Sequence, residues 1–152
     1  MTLSVRRVVT GHDANGKAVV KIDDVGAHGA NRRENHFSQL IWTTDDLPVS
    51  FGEDGEDKGA RRIGTTIDGG SVFRIGKYMP GVAPRNHRTD SIDYAVVLAG
   101  EIDMEMDDAV VHLKAGDVLV QRGTVHNWVN NGTDPCIIAF VLISSTGKTA
   151  VG

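Results

Sequence analysis

Short runs of apolar and β-branched residues recur along the chain, each bounded by turn formers. Val8-Val9-Thr10 and Ala18-Val19-Val20-Lys21-Ile22 flank Asn15-Gly16. Both residues of that dipeptide tolerate φ > 0, so the pattern predicts a tight β-hairpin. Phe37-Ser38-Gln39-Leu40-Ile41-Trp42-Thr43 reads as a further strand. From Gly70 onward the pattern is denser, with strands expected over 72–79, 93–98, 102–106, 110–113, 118–121, 126–130 and 137–143. Pro80-Gly81, Ala99-Gly100, Asp107-Asp108, Ala115-Gly116, Arg122-Gly123 and Asn131-Gly132 mark the turns between them. No long stretch keeps a helical period, and strands at this spacing predict an all-β sandwich or barrel. The run 136–143 is apolar on both faces. Such a strand is covered on both sides, within the sandwich or by a second subunit. Between Gly52 and Gly70 six glycines lie among charged residues, the composition of a solvated loop or of a mobile lid over a pocket.

Composition narrows the class. With 152 residues, 40% hydrophobic and 24% charged, the chain suits one domain able to bury a core without disulfide or metal staples. Within it, residues 1–69 are expected to supply N-terminal strands and the charged glycine-rich loop, packing on a barrel core at 70–146. A net charge of −4 and a pI near 5.8 point away from nucleic acid and from an anionic membrane surface. No apolar run approaches the roughly 20 residues of a membrane-spanning helix, and Met1-Thr2-Leu3-Ser4-Val5-Arg6-Arg7 lacks the apolar region of a secretory signal. Cys136 is the single cysteine, so no internal disulfide is possible and a reducing cytoplasm is the expected compartment. Its expected state is a buried, inert thiol.

Two segments carry the candidate chemistry. In the first, Gly81, His87, Asp93 and Gly100 stand at fixed offsets; in the second, Gly116, Gly123, His126 and Asn130 do. Together they resemble the paired motifs of the cupin family, G-x5-H-x-H-x3,4-E-x6-G and G-x5-P-x-G-x2-H-x3-N. The second is one residue shorter here after its first glycine. The resemblance covers residues 80–130 directly and implies a double-stranded β-helix, an antiparallel jelly roll. Likeness to small single-domain cupins also implies a homodimer, with terminal strands packing across the partner.

A usual cupin offers three histidines and one glutamate to a metal. This chain has Thr89 in place of the second histidine, Asp93 in place of the glutamate and Gln121 in place of the proline. Positions 87, 89 and 93 are separated by even steps, as are 126, 128 and 130, so each set faces one side of an extended segment. In a cupin that side is the barrel interior. His87, Asp93, His126 and Trp128 are therefore expected in one pocket, with Thr89 where a ligand is missing. Two histidines and a carboxylate make up a facial-triad iron(II) set, and the same set holds Zn²⁺ or Mn²⁺ as a Lewis acid. The alternative is a metal-free polar pocket with both histidines hydrogen-bonded. Trp128 would wall the pocket, Gln121 would offer an amide at its mouth or pack at a strand end, and Arg74 would pair with a substrate anion. Tyr94 has the opposite parity, which favours the outer face; a local twist after His87 would turn it inward as a proton carrier. His12, His28, His36 and His112 lie outside the motifs and read as surface or loop histidines.

The resulting expectation is a small-molecule enzyme performing metal-dependent acid–base chemistry: dehydration, isomerisation or lyase cleavage of an oxygenated carbonyl or polyketide-like substrate. The same ligands would serve a non-haem iron dioxygenase. A non-catalytic cupin that binds a small ligand is the third reading.

Overall fold

Turn residues divide the chain into eleven strands in this computed structural model, which describes residues 3–146. β1 (Arg6–His12) and β2 (Ala18–Val25) form the expected antiparallel hairpin, and Gly16 takes a φ of 74° in its turn. β3 (Gly29–Arg33), β4 (His36–Thr44) and β5 (Ser71–Tyr78) are followed by β6 (Ser91–Ala99) and β7 (Glu101–Glu105). β8 (Val110–Lys114), β9 (Val118–Arg122), β10 (Asn127–Val129) and β11 (Cys136–Ser144) complete the order. Six strands make one antiparallel sheet in the order β3-β4-β5-β11-β6-β9, and three make a second in the order β10-β7-β8. This is the all-β jelly roll that the motifs imply.

The main core lies between these sheets. Val72, Tyr78, Val97, Ile138, Phe140 and Leu142 from the large sheet meet Ile102, Met104, Leu113 and Trp128 from the small one. Alternation along β11 sends Cys136, Ile138, Phe140 and Leu142 inward. Its other face is covered in part by the N-terminal segment: Leu3 and Val5 pack with Ile41, Ile75, Ile137 and Ala139. Buried Gln39 fastens that segment, its amide accepting from Val5 N–H and donating to Val5 C=O at 3.0 Å each. Cys136 is fully buried, which pushes its thiol up to about 11.

Gly100 shows why the first motif ends in glycine. Its φ is 74°, and a Cβ there would collide with the Pro135 carbonyl. Only glycine accepts both conditions, and β6 can then turn directly into β7.

β3 departs from the pattern reading, and the charged glycine-rich loop has more tertiary contacts than its composition implies. β3 was not anticipated, because Gly-Ala-Asn-Arg-Arg has no apolar alternation; pairing with β4 alone makes it a strand. The charged segment after Gly52 is pinned at several points. Arg7, with its side chain 1% exposed, binds Asp24 and Asp57 and donates to Ile41 C=O, while Thr43 Oγ1 donates to Lys58 C=O at 2.6 Å. Among the described residues no helix is long and apolar enough to cross a membrane.

Candidate active site

The two motifs meet at a pair of histidines. His87 and His126 form an isolated antiparallel bridge, with His126 N–H on His87 C=O at 2.9 Å and the reciprocal bond at 3.1 Å. Paired this way, directly opposite residues project to the same side, and the two imidazoles lie 4.6 Å apart between centroids. Each ring is oriented by its own loop: His87 Nδ1 donates to Arg85 C=O and His126 Nδ1 to Thr124 C=O, both at 2.9 Å. That fixes the tautomer and leaves both Nε2 atoms as acceptors. Burial is the main cause lowering both rings, His87 to about 4, so both are neutral near pH 7.

These rings line a cavity of about 270 Å³, with Thr89, Asp93 and Trp128 also in its wall. Asp93 is buried at the start of β6, where Ser91 Oγ donates to its carboxylate at 2.5 Å and Thr89 bonds Ser91 at 2.8 Å. Burial raises Asp93 to about 6, with the Ser91 bond opposing. Trp128 meets His126 edge-on at 5.8 Å and continues through Tyr78 to His36.

Four arginines share the cavity: Arg32 and Arg33 from β3, Arg74 from β5 and Arg85 from the first motif's loop. Arg74 donates to Gly64 C=O at 2.8 Å, Arg85 to Thr65 Oγ1 at 3.3 Å, and Arg33 to Ala83 C=O and to His36 Nδ1 at 2.8 Å each. All these acceptors are neutral.

The structure overturns one sequence expectation, that for His36, and decides between the alternatives open for Tyr94 and Gln121. Tyr94 does not reach the cavity, because it alternates with Asp93 on β6 and lies 47% exposed beside Val120 and Val141 on the outer face. Gln121 is buried rather than at the pocket mouth. It donates to Thr124 and approaches His126 Nδ1 at 3.2 Å, so it backs the histidine from behind. His36 is not a surface residue: it is buried against Tyr78 at 4.4 Å and lines the cavity, with burial lowering it to about 3. Arg32, Arg33 and Arg85 were not singled out from the sequence. For Arg32 and Arg33 the available signal is the pair of adjacent arginines itself, and for Arg85 its place two residues before His87 in the first motif.

Donor chemistry supports a metal only in part. Two imidazoles with anchored Nδ1 atoms suit ligation. Among the described residues, however, no three His, Cys, Asp or Glu side chains are grouped to hold a metal ion. The arginines add positive charge around any cation. As placed, the three predicted ligands therefore do not fit a closed metal centre.

The cupin domain model matches residues 74–143. The cupin-domain-containing oxidoreductase fogC of Aspergillus ruber is 36% identical over 146 residues, covering 91% of this chain and 72% of that protein. Phomopsin biosynthesis cluster protein C' of Diaporthe leptostromiformis is 38% identical over 133 residues, covering 82% of this chain and 69% of its own. In fold, a solved Salmonella typhimurium protein with the provisional name ethanolamine utilization protein Q superimposes with a TM-score of 0.53 at 12% identity, over 95% of this chain and 99% of that one. With its two motifs joined at one histidine pair and a relative this similar along most of its length, the chain belongs to the cupin-domain proteins.

Proposed function

We propose that the chain is a small-molecule enzyme of biosynthesis that moves a proton on an oxygenated carbonyl or polyketide-like substrate. The observation carrying this reading is the meeting of Asp93 with two neutral, backbone-anchored imidazoles in one cavity. In the reaction Asp93 takes a proton from the carbon beside the substrate carbonyl. The C–H electron pair becomes the C=C bond of an enolate as the carbonyl π pair moves onto oxygen. The carbonyl then re-forms as the proton returns to carbon, or as the C–O bond to a β-hydroxyl breaks and that oxygen takes the proton to leave as water. The Nε2 atoms accept hydrogen bonds from substrate hydroxyls and hold the reacting carbon near Asp93. A lone, buried Cys136 supports the cytoplasm as its compartment.

Solvent-deuterium exchange tests the proton step. Pyruvate, 4-oxopentanoate and 2-oxoglutarate are incubated with the protein in D2O and followed by NMR. Exchange beside the carbonyl should exceed buffer at least about tenfold, in line with general-base catalysis, and vanish in Asp93→Asn and His126→Gln. No exchange with any of the three would refute it.

The second reading is an oxidoreductase, favoured by the names of the relatives and by the two anchored imidazoles. Cupins commonly bind divalent metals, and Fe, Zn or Mn on His87 and His126 would supply redox or Lewis-acid chemistry. Near-stoichiometric metal, lost in His126→Ala, together with oxygen uptake would establish it. A homodimer is also proposed. Phe73, Tyr94, Val96, Val118 and Val120 form an exposed apolar strip across the outer face of the large sheet, of the kind that a second copy covers.

A further inference from the structure

A protein of net charge −4 gathers four guanidinium groups around one small cavity. None of the four forms an ion pair among the described residues; their bonds go to carbonyl, hydroxyl and imidazole acceptors. Arg74 Nε is buried with no hydrogen-bond partner at all. Buried donors in native structures are nearly always satisfied, so Arg74, which lines the cavity, has donor capacity that the protein alone does not meet.

We propose that Arg33, Arg74 and Arg85, with the more exposed Arg32, bind a small substrate bearing two carboxylate groups and hold its reacting carbon toward Asp93 and the histidine pair. The proposal rests on the reading of this cavity as the active site and names the class of substrate it takes. The charge of the cavity favours more than one carboxylate. Four arginines and a single carboxylate, Asp93, line the cavity, and its three histidines are neutral near pH 7. That leaves a surplus of positive charge, most of which a dianion offsets. Guanidinium matches the planar fork of a carboxylate with two parallel bonds, which a spherical charge does not reproduce. The cavity also has two chemically different regions. Arg33 and His36 lie beyond Tyr78 and Trp128, while His126 and His87 follow on the other side of that aromatic row. An acid anchored among the arginines would thus lie along the aromatic row toward the histidines. A cavity of about 270 Å³ accommodates a short-chain acid. In the free protein the arginines repel one another. Arg74 is held down to about 10, mainly by burial and then by Arg32 and Arg85.

Binding is measured by thermal shift at fixed ionic strength with succinate, butyrate, dimethyl succinate and inorganic phosphate as probes. Succinate should raise Tm saturably, butyrate less, and the neutral diester not at all. Arg85→Gln removes an exposed side chain, so the fold is retained. It should weaken succinate binding about tenfold, as loss of a charge-assisted bond does, and should raise Tm without ligand by relieving repulsion. Arg32→Gln should act in the same directions. The proposal is overturned if succinate gives no saturable shift, if phosphate matches succinate at equal charge, or if Arg85→Gln binds succinate like the parent. Succinate binding without deuterium exchange would retain this site and remove the proton-transfer reading; exchange without succinate binding would do the reverse.

Discussion

Asp93 offers the sharpest physical test. Its carboxyl is raised from 3.8 to about 6, because burial penalises the charge and Ser91 repays only part. Each pKa unit corresponds to about 1.4 kcal/mol, so ionised Asp93 costs the folded protein about 3 kcal/mol at pH 8. The sign follows from the raised value. The protonated form stabilises the fold below the unfolded-state pKa, and that stabilisation is lost as pH rises through 6. Asp93→Asn keeps the shape and still accepts from Ser91 Oγ, but never ionises. It should therefore be more stable than the parent by about 3 kcal/mol at pH 8, by roughly half that near pH 5, and by almost nothing near pH 3.5. For a chain of this size the pH 8 difference is a Tm rise of roughly 6–12 °C. The assay is urea denaturation of chelator-treated protein at the three pH values. An Asn variant equal to or less stable than the parent at pH 8, or a difference that does not shrink with acid, refutes the account of Asp93 as a desolvated, uncompensated charge. The same variant should be inactive in proton exchange, so stability and activity move in opposite directions, as expected where a site retains strain for function.

Two further outcomes follow from packing. Arg7→Ala leaves Asp24 and Asp57 without their shared cation and should cost about 3 kcal/mol in denaturant unfolding; a loss below about 0.5 kcal/mol would mean those bonds contribute little. Val120→Lys places a charge in the exposed apolar strip. It should convert a dimer to a folded monomer in sedimentation, and an unchanged dimer would move the interface elsewhere.

Much of this protein is legible in its sequence. Turn residues at fixed offsets, with apolar runs between them, determine most of the strands, and the two motifs name the fold. Even spacing correctly puts His87, Thr89 and Asp93 in one wall, although the backbone leaves regular strand geometry between β5 and β6, so parity alone does not explain it. Parity does decide Tyr94, whose inward alternative fails because β6 is already regular there. Other features depend on partners distant in the chain. β3 is a strand only because β4 offers hydrogen bonds, and its Arg32 and Arg33 reach the cavity for that reason. His36 is buried by Tyr78, Gln121 is drawn behind His126 by Thr124, and Asp93 is engaged by Ser91. A local pattern sets which way a side chain points along its own strand. Which charges and acceptors it then meets is decided by strand pairing across tens of residues, and that is where the cationic character of this cavity arises.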